Sequence, residues 1–149
     1  MTLNVYLSGE IHTDWREQII EGAAGLDVRF SSPVTDHGAS DDCGAAILGA
    51  ETNKYWHDHK GAKINAIRTR KGLADADVVV VRFGEKYKQW NAAFDAGYAA
   101  ALGKSLIVLS QDDHQHALKE VHAAALAVAS EPRQVVEILR YVLTGGLPE

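Results

Sequence analysis

Short apolar runs alternate along the chain with longer stretches that carry the periodicity of a helix. Three runs are rich in β-branched residues and predict buried strands, at Leu3 to Leu7, Val78 to Val81 and Leu106 to Leu109. The four consecutive valines do not alternate with polar residues, which is typical of a strand covered on both faces of a parallel sheet. A weaker strand is predicted at Asp27 to Phe30. A fifth, at Ala124 to Ala129, fits the tail of a helix equally well.

Four intervening segments place apolar residues at the spacing of a helix. Their predicted bounds are Asp14 to Ala24, Asn53 to Leu73, Asn91 to Leu102 and Glu131 to Thr144. In the longest of them, the predicted inward positions are Tyr55, Ala62, Ile64 and Ile67. The stretch from Pro33 to Leu48 is the least regular, so it is predicted to be a long loop, either a binding loop or lid or a solvated connection.

The order of these elements predicts the fold class. Parallel strands that alternate with helices are joined by right-handed crossovers, which place helices on both faces of the sheet. The sequence therefore predicts an α/β fold: one domain over residues 1–149, built on a doubly wound, flavodoxin-like, mostly parallel sheet of about five strands flanked by helices. The position of the fifth strand in the sheet stays open.

The composition narrows the range of partners. The 149 residues include 15 Lys and Arg against 20 Asp and Glu, and the resulting net charge of −5 argues against a nucleic acid polymer. No stretch resembles a signal peptide or a membrane span, so no membrane partner is expected. The single cysteine, Cys43, cannot form an internal disulfide, which favours a reducing, cytoplasmic location. No cofactor is expected.

Polar residues follow the first predicted strand, at the edge of the sheet where ligands bind in this fold class. Ser8, Glu10 and His12 have side chains that bind sugar hydroxyls or transfer protons, and Gly9 permits a close approach of the backbone. Each of them, taken alone, is equally consistent with a turn or a helix cap. The sequence therefore predicts a ligand site here without settling the role of any one residue.

The third predicted strand is followed by a polar loop and a helix of small residues. Tyr87 and Trp90 in the loop are placed either to stack on a base or to pack over the edge of the sheet. Asp95 is the only acid of the helix, and a carboxylate there is costly unless it is solvated, paired or used, although the positive end of the helix would also favour it. Gly97, inside the same helix, suggests that another group approaches the backbone.

Three blocks of sequence, in the same order along the chain, resemble the nucleoside 2-deoxyribosyltransferase superfamily. They are Val5-Tyr6-Leu7-Ser8-Gly9, Ala76-Asp77-Val78-Val79-Val80-Val81 and Phe94-Asp95-Ala96-Gly97-Tyr98-Ala99. Within the superfamily, the segment Gln89 to Asp95 in particular resembles the YtoQ family, and the similarity spans Leu3 to Leu109. The resemblance implies that Asp95 matches a glutamate that attacks the anomeric carbon of a 2-deoxynucleoside, displaces the base and forms a glycosyl ester.

The resemblance also implies roles for other residues. Tyr6 would position Asp95, and Glu10 or His12 would donate a proton to the departing base. The implied substrate contacts are Ser8, Gly9, His12, Asp77, Gln89, Trp90 and Asn91. Two positions depart from the family pattern: Gln89 replaces an acidic or small hydroxyl residue, and Thr69 replaces an aspartate. The substrate and the activity therefore do not transfer directly.

The expected partner is a small-molecule nucleoside or nucleotide, and three functions remain open. The first is a transferase acting on an N-glycosidic bond, the second a nucleotide hydrolase that releases free base, and the third a binding module without catalysis. A basic segment with Arg68, Arg70 and Lys71 either binds a phosphate or complements the end of its helix. The resemblance implies a dimer or higher oligomer, and the helical surfaces around Tyr55, Trp56 and Tyr141 also suggest a homo-oligomer.

Histidine pairs were considered as metal ligands. His57 and His59 are two residues apart, as are His114 and His116, and on a helix this spacing turns the rings about 200° from each other. One ion cannot bind both rings of such a pair. A looser arrangement of His37 with its neighbouring aspartates remains open, but no metal site is predicted.

Overall fold

A computed structural model describes residues 1–111 and 115–149 of the chain, so His114 of the second histidine pair lies outside the described residues. Five parallel strands form one sheet in the order β2-β1-β3-β4-β5. The strands are β1 (Leu3–Gly9), β2 (Val28–Ser31), β3 (Val78–Phe83), β4 (Ser105–Ser110) and β5 (Ala127–Ala129). This order is that of flavodoxin-like sheets and confirms the predicted fold class. The fifth strand lies at the edge, next to β4.

Helices cover both faces of the sheet. They are α1 (Trp15–Gly22), α2 (His37–Leu48), α3 (Lys54–Asp75), α4 (Trp90–Ala101), α5 (Lys119–Ala124) and α6 (Pro132–Thr144). Alternate valines of β3 point to opposite faces: Val78 and Val80 pack with α1 and α6, whereas Val79 and Val81 pack with α3 and α4. None of the helices in the described part of the chain combines the length and the apolar character that crossing a membrane requires.

The segment that the sequence predicts as a long loop contains α2, so that prediction was wrong for all but its first four residues. The carboxylate of Asp36 caps the helix by accepting a hydrogen bond of 2.8 Å from the backbone of Ala39. The helix packs on α3 through two glycines, because a side chain at Gly44 would come within 2.5 Å of the backbone of Gly61. Of the residues in α2, only Gly44 is fully buried, and glycine carries no apolar signal that reveals a helix.

The inward face predicted for α3 was also wrong. Tyr55 and Ile67 are 65% and 72% exposed, and the buried residues of this helix are Gly61 and Leu73. Most of the length of α3 packs against α2, and only its last turns reach the sheet. An apolar periodicity therefore indicated the helix correctly but not the side that it buries.

The contact between α3 and the sheet generates a prediction about stability. A methyl group at Gly72 would collide with the buried ring of Tyr6, so Gly72→Ala should lower the free energy of unfolding by about 1 to 2 kcal/mol. Urea denaturation measures the change.

A matched variant, Gly97→Ala, provides the control. No described side chain or other segment approaches the backbone of Gly97, since a methyl group there would meet no atom outside its own helix within 4 Å. Gly97→Ala should therefore stabilise α4 by about 0.5 to 1 kcal/mol through the lower entropy of the unfolded chain. Equal effects of the two substitutions would contradict the close packing of Tyr6 on α3.

Candidate functional site

The carboxyl end of β1 meets α4 through one short hydrogen bond. Ser8 is fully buried, and its hydroxyl donates to Oδ2 of Asp95 at 2.6 Å. Asp95 lies in the second turn of α4, which packs on one face of the sheet against β1, β3 and β4. Two predicted site residues that are 87 positions apart in sequence are thus brought together by the parallel sheet.

The environment of Asp95 makes its charge costly. Burial raises the pKa of Asp95 above its ordinary value of 3.8, and the hydrogen bond from Ser8 opposes the rise. No described residue forms an ion pair with this carboxylate. A negative charge that is only partly solvated and not neutralised is well suited to stabilise a positive charge that develops in a ligand.

Asp95 lines a cleft of about 560 Å³ between α2, α3 and α4. Asn65 of α3 donates to both the carbonyl and the hydroxyl of Ser40 in α2, at 3.0 and 3.1 Å, and thereby joins two walls of this cleft. Phe94 lies beside Asp95 on the same wall and is 70% exposed. Sequence reasoning missed Ser40 and Asn65, because neither belongs to a motif and only the packing of α2 on α3 places them here. Phe94 belongs to the third block of sequence but was not predicted as a contact.

A second cavity, of about 460 Å³, adjoins this cleft and also has Gly9 and Asn91 in its lining. Its wall carries His12 and Tyr87, whose ring centroids are 4.7 Å apart. Gln89 lines the same cavity and accepts a hydrogen bond of 2.9 Å from the backbone of Gly84. Together these groups offer an aromatic and amide surface of the kind that binds a planar heterocycle.

The carboxylate of Glu10 is almost entirely buried, and both of its oxygens have partners. One accepts from the backbone of His12 at 2.7 Å, and the other accepts from Thr13 at 2.8 Å and from Arg82 at 3.2 Å. Burial by itself would raise the pKa of Glu10, but these hydrogen bonds outweigh it and lower the pKa below 4.5. This geometry favours a role in holding the loop rather than the proton donation suggested by the sequence.

Arg16 holds the same loop from the other side. Its guanidinium donates to the carbonyl oxygens of Leu7, Gly9 and Glu10, at 3.1, 3.2 and 2.6 Å. Burial lowers the pKa of Arg16 to about 10, and the charge of Glu10 counteracts this effect. The sequence contains no signal for this role, since an arginine in a surface helix is ordinarily exposed.

Gly9 makes this loop possible. Its φ is 109°, and a side chain there would collide with the carbonyl oxygen of Arg82 in the neighbouring strand. The close backbone approach expected at Gly9 is therefore made by β3, although Gly9 also lines both cavities.

Tyr6 is buried beneath α3, and its hydroxyl forms no hydrogen bond with Asp95. Thr69 lies near this hydroxyl, but no described group meets it at hydrogen-bond geometry. Burial is the main reason why the pKa of Tyr6 is raised, so the hydroxyl stays protonated. Ser8, rather than Tyr6, is the residue that orients Asp95 in this structure.

Two other predicted contacts are not brought into the group. Asp77 lies just before β3, at the amino end of that strand, whereas Asp95 lies near the carboxyl ends of the strands. Asp77 accepts a hydrogen bond of 2.8 Å from the backbone of Asn4. Trp90 is 76% exposed and lines neither cavity. The residue type suggested a contact in both cases, but the position in the fold does not provide one.

Among the described residues, no three His, Cys, Asp or Glu side chains gather in a way that could hold a metal ion. His57 lies in α3 and contacts Asp42 and Asp58, at 3.1 and 3.2 Å. His37 pairs with Asp41 at 3.1 Å. These contacts link side chains within and between α2 and α3.

The environment of Glu10 generates a prediction about pH. Because folding lowers its pKa, the ionised side chain stabilises the protein above about pH 4.5, and this contribution is lost as the pH falls through the lowered value. Glu10→Gln should therefore destabilise the fold by about 1 to 3 kcal/mol at pH 7 and by less at pH 3. Urea denaturation at the two pH values tests this, with the exposed Glu21→Gln as control. A loss independent of pH would argue against an ionised Glu10.

Solved structures with the same fold include enzymes that act on nucleosides and nucleotides. A conserved protein from Enterococcus faecalis V583 aligns with a TM-score of 0.66 and 16% identity, over 96% of this chain and all of the other. A 2-deoxyribosyltransferase from Bacillus psychrosaccharolyticus aligns with a TM-score of 0.57 and 14% identity, over 89% and 90% of the two chains. The CMP N-glycosidase BcmB of Clostridium botulinum aligns with a TM-score of 0.55 and 11% identity, over 94% and 99%. At these identities the likeness concerns the fold.

The sequence comparisons are more specific. Protein YtoQ of Bacillus subtilis (strain 168) is 41% identical over 144 residues, which cover 95% of this chain and 97% of that protein. The family model described as nucleoside 2-deoxyribosyltransferase YtoQ matches residues 6–143. The resemblance seen in the sequence is thereby confirmed, and the chain belongs to the nucleoside 2-deoxyribosyltransferase YtoQ family.

Proposed function

We propose that this protein is an enzyme that cleaves or exchanges the N-glycosidic bond of a nucleoside or nucleotide, with Asp95 acting on the anomeric carbon. The observation that carries the proposal is the partly buried carboxylate of Asp95, oriented by Ser8 in a cleft of about 560 Å³. Membership in the family and the fold shared with a 2-deoxyribosyltransferase and a CMP N-glycosidase support it.

The reaction proceeds in two displacements. In the first, the C1′–N bond breaks, its electron pair leaves with the base, and an oxygen of Asp95 forms a bond to C1′. The departing nitrogen takes up a proton. In the second, a nitrogen of another base or the oxygen of water attacks C1′ and gives up its proton, and the electron pair of the ester bond returns to Asp95.

The hydrogen bond from Ser8 makes the two oxygens of Asp95 different, because only one of them accepts it. Oδ2 accepts from Ser8, whereas Oδ1 has no hydrogen-bond partner among the described residues. Oδ1 is therefore the oxygen available for attack on C1′. An aspartate is one methylene shorter than the glutamate expected from the family, so the sugar must lie closer to α4.

The proton donor is assigned to His12 in this proposal. Both oxygens of Glu10 are occupied and its pKa is lowered, so it has no proton to give near neutral pH. His12 lines the cavity that adjoins the cleft, and its ring faces that of Tyr87 at 4.7 Å. A base leaving C1′ would enter this cavity and meet the imidazole there.

A single assay separates the three functions that the sequence left open. The protein is incubated with a panel of 2′-deoxynucleosides and their 5′-monophosphates, and free base is measured by chromatography. A hydrolase releases base without an added acceptor, whereas a transferase requires a second base. A binding module shows thermal stabilisation by a ligand but no release, and this result would refute the proposed catalysis.

Replacing the carboxylate gives a prediction with two readouts. Asp95→Asn should lower kcat on the order of 10³-fold or more, because an amide cannot form the glycosyl ester. The same variant should melt at a higher temperature at pH 7, since folding raises the pKa of Asp95 and so disfavours its charged form. The gain should disappear below about pH 3.8, where the carboxyl is protonated in the folded and the unfolded chain.

Asp58→Asn is the matched control for this prediction. Asp58 is exposed on α3 and paired with Lys54, so its loss should leave turnover unchanged and should not raise the melting temperature. Full turnover of Asp95→Asn would exclude the proposed role of Asp95.

The contact between Ser8 and Asp95 predicts a shift in the pH profile. Catalysis requires the ionised carboxylate, so kcat should fall as the pH decreases through the pKa of Asp95, which lies above 3.8. The hydroxyl of Ser8 lowers that pKa, so Ser8→Ala should move the acidic limb to higher pH and reduce the plateau about 10- to 100-fold. Ser110→Ala, which removes another buried hydroxyl at the end of a strand, should move neither. An unshifted limb in Ser8→Ala would contradict the assignment.

A further inference from the structure

One cation of the basic segment stands at the junction of two cavities. Arg68 lines the cleft that contains Asp95 and also a neighbouring cavity of about 600 Å³, and the two have Val34 and Asn65 in common. A ligand whose sugar lies over Asp95 can therefore extend past Arg68. Arg70, in contrast, lines neither cavity.

Within the described part of the chain, the charge of Arg68 is also unpaired. Its hydrogen bond to the carbonyl oxygen of Ser32 is long, at 3.4 Å, and no carboxylate among the described residues pairs with it. Lys71, in contrast, is bound to Asp75 at 2.8 Å. A free guanidinium presents several N–H donors in a plane, a geometry that matches two oxygens of a phosphate.

A second donor, itself buried, belongs to a residue that lines the same space. Tyr6 lines the cavity of about 600 Å³ together with Arg68, and only 2% of the residue is exposed. Its hydroxyl has no hydrogen-bond partner among the described residues, and a buried donor of this kind is costly unless a ligand or water meets it. Because burial raises its pKa, the hydroxyl keeps its proton and remains a donor.

We propose that Arg68 and the hydroxyl of Tyr6 bind the 5′-phosphate of the substrate, so that the enzyme acts on nucleoside 5′-monophosphates in preference to nucleosides. The 5′-phosphate is attached at the end of the sugar opposite to C1′, which is consistent with Asp95 and Arg68 lining one cleft. The protein as a whole carries a charge of −5, so it offers an anion no general attraction, and a local cation must supply it. This inference rests on the proposed function.

The test compares two arginines of α3. Release of base is measured for each 2′-deoxynucleoside and its 5′-monophosphate with the wild type, Arg68→Ala and Arg70→Ala. Arg68→Ala should raise KM for the monophosphates about 10- to 100-fold, with little change for the nucleosides. Arg70→Ala removes the same charge two positions further along α3, at a residue that lines neither cavity, and should change neither KM value. Equal KM values for the two substrate classes in the wild type would overturn the inference.

Tyr6→Phe provides a second measurement that does not depend on charge. The variant should lose part of the preference for monophosphates, by about 3- to 10-fold, because one neutral hydrogen bond is removed. Its melting temperature should not fall, since the hydroxyl has no partner in the protein. An unchanged preference would exclude Tyr6 from the phosphate site.

Calorimetric titrations separate a failure of this inference from a failure of the proposed function. Absence of base release from every substrate would refute the function. Binding of the monophosphates that Arg68→Ala abolishes and Arg70→Ala retains would still support the phosphate site. Titrations with 2-deoxyribose 5-phosphate and with inorganic phosphate show whether the site binds a sugar phosphate or free phosphate instead of a nucleotide. Binding of either one without binding of any monophosphate would overturn the assignment to nucleotides.

Discussion

The hydrogen bond between Ser8 and Asp95 is the contact on which the candidate site depends. It joins the carboxyl end of a central strand to the helix that crosses it, so the position of the carboxylate is determined by the sheet rather than by a loop. A group that must approach a sugar carbon closely needs such a rigid support, because small displacements reduce reactivity strongly. The contact leaves Oδ1 free, and it offsets part of the cost of the buried charge.

Other buried charges serve to keep the surrounding loop in place. Arg16 binds three carbonyl oxygens at the end of β1 and in the residue that follows it, and Glu10 binds the next turn together with Arg82. Their charges are satisfied by hydrogen bonds, whereas that of Asp95 is not neutralised. This difference separates residues that stabilise the site from the one that is proposed to react, since an incompletely compensated charge persists only where function requires it.

The wall opposite Asp95 is built by α2 and α3, which are held together by the contact of Gly44 with Gly61 and by the hydrogen bonds of Asn65. The two helices enclose the space that carries Arg68, so the cleft contains a cation as well as the carboxylates of Asp95 and Asp41. The substrate that we propose, with a reactive sugar carbon and a distant phosphate, matches the placement of Asp95 and Arg68 in this cleft.

The sequence by itself determined the α/β fold and four of the six helices in the described part of the chain, and it singled out Ser8 and Asp95 as candidate site residues. The burial of a strand on both faces and the period of a helix are local patterns that the sequence shows directly. The run Val78 to Val81 is an example of the first. Only the tertiary structure decided that α2 is a helix, that Asp77 lies at the amino ends of the strands, away from Asp95, and that Glu10 and Arg16 hold a loop. These outcomes depend on contacts between distant segments, and a hydrogen bond across 87 residues leaves no periodic trace in the chain.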